Sequence, residues 1–375
     1  MIARKTVPLA RPDVGEEEID AVVSVLRTPI LSIGPKIEEF EERCAAVAGR
    51  RYGVAVNSGT SALHLIVRGL GIGQGDEVIT TPFSFVASSN VLLYERAKPV
   101  FVDIDPLTYN IDIDWIEAAI TSRTKAILVV DVFGQAVNML RLAEIAKRYD
   151  LLLIEDSCEA IGGAYDGVPC GHLGDAGAFA FYPNKQITTG EGGVLVTDSA
   201  DLYRMARSLR NQGRGEASEW LAHDRLGYNY RLSEINAVLG VEQIKRLDEI
   251  LAKRSEVARK YTERLQDIPL VTPPRIDPRV RMSWFVYVVR VDETVDRDKL
   301  MVFLRERGVG CRPYFSPIHL QPFYRQMFGY REGDFPITED VAKSTIALPF
   351  FNRITDEEID YVCEMLREGI VACRK

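Results

Sequence analysis

The chain has 375 residues, 46% of them hydrophobic, with six cysteines and a formal net charge of −8. That length and apolar content can bury a large core and divide into more than one domain, while the negative charge argues against a general nucleic-acid binder, which works by neutralising phosphates. Cysteines without a close-spaced framework, no signal-like stretch over residues 1–10 and no apolar run long enough to cross a bilayer point to a cytoplasmic protein away from membranes.

Strands are predicted over 53–56, 77–80, 100–102, 126–130, 151–154, 178–181 and 194–196, alternating with helical stretches such as 138–149. This is the βα pattern of a mainly parallel sheet. After Arg231 the apolar period changes: Ile235, Val238, Leu239, Val241, Ile244, Leu247 and Leu251 mark one long amphipathic helix running towards Leu265. The prolines of 269–275 end it. The domain boundary is placed in this helix, giving a large α/β domain over 1–245 and a smaller α+β domain over 246–375. The smaller one is expected to hold a strand over 283–291, helices near 297–307 and 355–368, and a loop over 308–314.

Four segments carry chemistry. The first strand runs through Asn57-Ser58-Gly59-Thr60 into a helical pattern at Leu63, Ile66, Val67 and Leu70. Such a turn offers unpaired N–H groups and the positive end of a helix dipole to a phosphate, with Gly59 admitting the backbone and Thr60 or Ser61 adding a hydroxyl. An ordinary Ser/Thr cap accounts for the same residues equally well. Next, Thr80-Thr-Pro-Phe-Ser-Phe85 opens another helix, where Phe85 can stack on a planar ring or enter the core.

The third segment, Leu151-Leu-Leu-Ile-Glu155-Asp156-Ser-Cys158-Glu159, is an apolar run ending in acids, the pattern of a buried parallel strand whose carboxyl end faces a ligand. A carboxylate there can keep a pyridine nitrogen protonated. A metal is not expected, because no His or Cys pair with ligand spacing lies near Asp156, and Cys158 and Cys170 form no CxxC. In the fourth, Phe179-Ala-Phe-Tyr-Pro-Asn-Lys185-Gln-Ile-Thr-Thr-Gly-Glu-Gly-Gly193, one lysine sits between a strand and a glycine-rich turn. A partly desolvated lysine loses its proton more readily and can attack an aldehyde, although a lone loop lysine is more often solvated.

In this chain order, a phosphate turn, an aromatic, a strand-end Asp and a lysine resemble the fold type I pyridoxal 5'-phosphate (PLP) enzymes. More closely, the chain is similar to the DegT/StrS family of nucleotide-sugar aminotransferases, through 33–40, 58–63, 98–105, Glu155-Asp156, the Lys185 segment, 227–234 and 319–324. The resemblance implies an α/β PLP-transferase fold, a mainly parallel central sheet with helices on both faces and a smaller C-terminal α+β domain. It makes Lys185 the lysine that holds PLP covalently and moves the proton, and Asp156 the partner of the pyridine nitrogen. Gly59, Thr60 and Ser61 fall on the phosphate turn, Phe85 and Cys158 on opposite faces of the ring, and Glu159 beside its phenolic oxygen. Many relatives carry Gln in place of Glu159, and a carboxylate at this position repels a phenolate unless a proton is shared. Relatives also place a phosphate-binding Ser where this chain has Ala180.

The resemblance further implies a homodimer with shared active sites: Asn229 and Arg231, in Gly227-Tyr-Asn-Tyr-Arg231, reach the cofactor phosphate and the substrate of the neighbouring subunit. His319 and Tyr314 are assigned to the substrate side, whereas His64 is read as packing. The expected reaction passes an amino group from L-glutamate to C4 of a nucleoside-diphosphate 4-keto-6-deoxy sugar. Arg210, Arg214, Arg225 and Arg231 offer pyrophosphate partners on a chain that would otherwise repel a dianion. Open alternatives are a 3-keto sugar or cyclitol ketone as acceptor, a sugar dehydratase and a non-catalytic regulatory relative. Retained Lys185 argues against the dehydratase, whose relatives carry His there, and the intact Asp156, Lys185 and phosphate turn argue against the regulatory protein.

Overall fold

Seven apolar runs become seven strands of one sheet, but their spatial order departs from chain order. In a computed structural model describing residues 5–215 and 222–375, these are β1 (Tyr52–Val56), β2 (Glu77–Thr80), β3 (Lys98–Phe101), β4 (Thr124–Val130), β5 (Leu152–Asp156), β6 (Ala176–Ala180) and β7 (Gly193–Thr197). The order is β1-β7-β6-β5-β4-β2-β3. From β3 to β6 all neighbours are parallel, while β7 runs antiparallel to both β6 and β1. The reason is the connection: β6 and β7 are joined by a loop with no crossover helix, and a parallel pair needs a crossover.

Period-two alternation in the central strands places a layer on each face. Leu128, Val130 and Ile154 pack with Leu63 and Ile66 of the helix Gly59–Gly69. Ile127, Val129 and Leu153 pack with Leu142 and Ile145 of the helix Met139–Tyr149. Asn138 caps the latter helix by accepting from Arg141 N.

A second, three-stranded antiparallel sheet joins β8 (Val271–Thr272), β9 (Tyr287–Val291) and β10 (Thr345–Leu348). Its core is shared with the helices Leu247–Leu265, Arg297–Glu306 and Asp356–Ala372, and includes Val7 from the other end of the chain. β10 has no counterpart in the sequence reading.

Two expectations change in this half. The long helix is two, Glu234–Lys245 and Leu247–Leu265, separated at Arg246 (φ −102, ψ 10). The first packs on the helices Glu16–Leu26 and Pro35–Ala48, the second on Asp356–Ala372, and Arg246 Nη1 donates to Glu18 Oε1 at 2.6 Å. Different partners on either side require different axes, so the helix breaks where one guanidinium anchors it. The strand expected over 283–291 begins only at Tyr287. Upstream the backbone peels away: Ser283 N donates to Gly134 O (3.0 Å) and Phe285 N to Phe133 O (3.4 Å). Among the described residues no helix is long and apolar enough to cross a membrane.

Candidate active site

β5 ends on Asp156, whose carboxylate is buried and doubly held. Ser88 Oγ donates to Oδ2 at 2.6 Å and Cys158 N to Oδ1 at 3.2 Å. Beside it, the β6–β7 connection carries Lys185. The neck of this loop is closed by Phe181 N to Gly192 O and Thr189 N to Phe181 O, each 3.0 Å. Gln186 Nε2 ties the loop to Glu159 O (2.5 Å) and Ser283 O (2.9 Å). The lysine backbone is therefore fixed from two sides. Its Nζ lies 3.5 Å from Glu159 Oε1 and 3.9 Å from the centre of the Phe285 ring.

The third wall is the start of the helix Gly59–Gly69. Ser58 caps it, accepting from Ser61 N at 3.1 Å. Gly59 admits no side chain: a Cβ would stand 2.6 Å from Ala180 Cβ and 2.9 Å from Cys158 Sγ. Close approach of three segments thus demands glycine here. Together these groups line a cavity of about 430 Å³, with Thr60, Phe85, Tyr182, Asn184, Tyr314 and Phe315.

Burial raises the Glu159 carboxyl, and the Lys185 charge pulls it the other way. Burial, with the Glu159 charge, pushes the Tyr314 hydroxyl up to about 12. One buried oxygen, Asn184 Oδ1, has no partner. A helix N-terminus free of carboxylates, a fixed buried carboxylate and an amine around one cavity match the phosphate, ring nitrogen and aldehyde of PLP, so the residues present fit that cofactor.

The structure brings Lys185, Asp156, Gly59, Thr60, Phe85, Cys158, Glu159 and Tyr314 to this cavity. It does not bring Ser61: that hydroxyl donates to Asn57 Oδ1 (2.7 Å) and sits 2.9 Å from Ser58 Oγ, turned back into the cap. His319 is a clearer correction. It is 0% exposed, with Nε2 3.1 Å from Glu339 Oε1 and its ring against Phe335, and it does not line the Lys185 cavity. His64 does more than pack, since its two ring nitrogens meet Tyr230 OH (3.1 Å) and Glu95 Oε1 (2.8 Å).

Asn229 and Arg231 lie elsewhere in the chain's own fold. Asn229 is exposed and pairs with Asn211 across a short bridge. Arg231 Nη1 donates to Asn211 Oδ1 (2.9 Å) and Gln212 Oε1 (2.7 Å), and it lines a second cavity of about 390 Å³ with Ile33, Arg207, Arg210 and Arg214. Of the arginines grouped from sequence, Arg225 does not line this cavity. Arg210 is engaged by Glu41 and by Ala55 O.

Sequence reasoning missed Ser88, Tyr182, Asn184, Phe285 and Phe315. Ser88 was discoverable, one helical turn after Phe85, and Tyr182 and Asn184 flank the lysine within its quoted segment. Phe285 and Phe315 carried no local signal, because they reach the cavity from the C-terminal half. The fold also gathers Asp131, Glu155 and Cys170, all buried, with potential ligand atoms within 4.8 Å of one another behind Asp156. Asp131 is occupied by Val137 N (2.9 Å) and Ser157 Oγ (2.8 Å).

Residues 12–367 match the model of the DegT/DnrJ/EryC1/StrS aminotransferase family. The chain is 38% identical over 369 residues to GDP-perosamine synthase of Caulobacter vibrioides, covering 97% of this chain and 98% of that one. Among solved structures it is similar to Helicobacter pylori PseC, an aminotransferase involved in pseudoaminic acid biosynthesis (TM-score 0.94, 29% identity, 98% and 100% of the two chains). It is also similar to the PLP form of the Streptococcus pneumoniae protein Spr1654 (TM-score 0.92, 28% identity, 98% and 99%).

Proposed function

Because the chain belongs to the DegT/DnrJ/EryC1/StrS aminotransferase family and is a PLP-dependent sugar aminotransferase, we propose that it carries an amino group from L-glutamate to C4 of a nucleoside-diphosphate 4-keto-6-deoxy sugar. The observation that carries this reading is the meeting of Lys185, Asp156 and the Gly59 turn at one cavity. A relative named for making a GDP-linked amino sugar supports a nucleotide sugar as acceptor.

Bound PLP supplies a carbonyl that condenses with amines and a ring that accepts electrons. The chain supplies the rest. The Gly59–Thr60 turn holds the phosphate with backbone N–H groups and a hydroxyl. Asp156 keeps a proton on the ring nitrogen, Ser88 fixing the carboxylate that does so. Phe85 and Cys158 would lie against the bound ring, and Glu159 would meet its phenolic oxygen. Lys185 Nζ would hold the cofactor and, when free, would move the substrate proton. Tyr314 borders the acceptor side.

Asn229 and Arg231 act in the site of a second copy of the chain. Two observations support this. Neither residue reaches the chain's own Lys185 cavity. Exposed Ile19, Val23 and Leu26 lie on one helical face, and exposed Ile33 stands with the arginines that line the Arg231 cavity; exposed apolar groups of this kind suit an interface. The reading keeps a division into 1–245 and 246–375, and a cytoplasmic location suited to six free cysteines.

Incubation with L-glutamate and matched 4-keto and 3-keto nucleotide sugars, followed by product NMR, tests the substrate. Amination at C4 of the nucleotide sugar is expected. Amination only at C3, or only of a free cyclitol ketone, would refute the proposal.

A further inference from the structure

Lys185 and Glu159 form an ion pair at 3.5 Å whose side chains keep only 13% and 7% of their surface exposed. The second carboxylate oxygen, Oε2, accepts from Phe133 N at 2.9 Å, so the carboxyl cannot turn away without leaving a buried N–H unpaired. On its other side Nζ lies against the Phe285 ring at 3.9 Å, a contact that also favours a cation. Five further titratable groups line the same cavity: Asp156, Cys158, Tyr182, Glu191 and Tyr314. The Asp156 oxygens are held by Ser88 and Cys158 N. Burial pushes the Cys158 thiol well up and the Tyr314 hydroxyl up to about 12, so neither exchanges a proton near neutral pH.

We infer that Glu159 is the proton partner of Lys185 and holds it in check: in the cofactor-free chain the pair keeps one proton between Nζ and Oε1, so Lys185 stays an ammonium until that proton passes to the carboxyl. The exchange balances, since the ammonium loses the proton that the carboxylate gains and the pair stays neutral overall. Burial of Glu159, which favours the protonated acid, works in the same direction. The product is a neutral carboxylic acid, which can donate to a phenolic oxygen that an ionised carboxylate would repel. This rests on Lys185 being the PLP lysine and adds which group holds its proton.

Competitive acetylation of the cofactor-free protein across pH, read by peptide mapping, gives the titration midpoint of Lys185, with exposed Lys299 as internal standard. In Glu159→Gln the carboxylate that favours the ammonium is gone while burial remains. The Lys185 midpoint should then fall by at least about one unit, and labelling near neutral pH should rise about tenfold. Glu159→Asp, one methylene shorter, should give a midpoint between the two and serves if the Gln variant does not fold. A Lys185 midpoint unmoved or raised in Glu159→Gln, or identical to wild type in Glu159→Asp, with Lys299 unchanged, would overturn the pair and leave the cofactor reading intact. Conversely, borohydride trapping of PLP on another lysine would remove the cofactor reading, while the Lys185–Glu159 pair would remain measurable.

Discussion

The Lys185 cavity and the Arg231 cavity are built in opposite ways. The Lys185 cavity is assembled from strand ends and turns of one sheet, and its reactive groups are held from within the chain: Asp156 by Ser88 and Cys158 N, Lys185 by Glu159 and Phe285, Gly59 by contact with Ala180 and Cys158. The Arg231 cavity is a bay beside an exposed apolar surface, and Arg210 and Arg231 in it are occupied by groups of their own subunit. Reactive groups at strand ends are in place once the single chain has folded. A bay between loops and an apolar face is completed by whatever docks there, so defects in the two regions should have different signatures.

The largest effect is expected at the centre of the first cavity. Lys185→Ala should abolish transamination and the visible absorbance of the purified enzyme, with borohydride fixing PLP to the Lys185 peptide in wild type. Label on any other lysine would break the assignment. Asp156→Asn should retain PLP yet lose half-reaction rate by on the order of 10² or more, because a neutral amide no longer stabilises the protonated ring nitrogen. Single-turnover kinetics with L-glutamate measures this, and a near wild-type rate would remove the proposed role.

The second cavity predicts a defect that can be complemented. Lys185→Ala and Arg231→Ala are each expected to be inactive alone. Mixed under subunit exchange, they form hybrids with one doubly defective site and one intact site, so partial activity should return. No recovery despite exchange proven by mass spectrometry would show that the bay serves its own subunit.

The smallest effect lies behind Asp156. Burial pushes Asp131 up to about 6 from an ordinary 3.8, and burial with the neighbouring Asp131 charge raises Glu155 well above its usual range. A group whose pKa rises on folding contributes stability that is whole below its unfolded value and is lost as pH climbs through the folded one. The Asp131 contribution should therefore fade between about pH 4 and 6, by about 1–3 kcal/mol. Urea denaturation across that window should show a flatter pH dependence for Asp131→Asn than for wild type. Parallel curves would mean that folding does not raise the Asp131 carboxyl.

What the sequence by itself determined was local. Apolar runs with β-branched residues located the seven central strands to within a few residues, because a strand buried on both faces needs little else. Ser58 ahead of Gly59, Asn138 and Thr355 marked helix starts through their capping oxygens. The chain order of Gly59, Phe85, Asp156 and Lys185 carried the resemblance to the PLP enzymes, since each belongs to a strand end or turn readable from its neighbours. Only the tertiary structure decided the antiparallel course of β7, the break at Arg246 beside Glu18, the burial of His319 against Glu339 and the arrival of Phe285 and Phe315 at the lysine. Each of these depends on contacts between segments far apart in the chain, and a short apolar run looks the same whichever neighbour it meets.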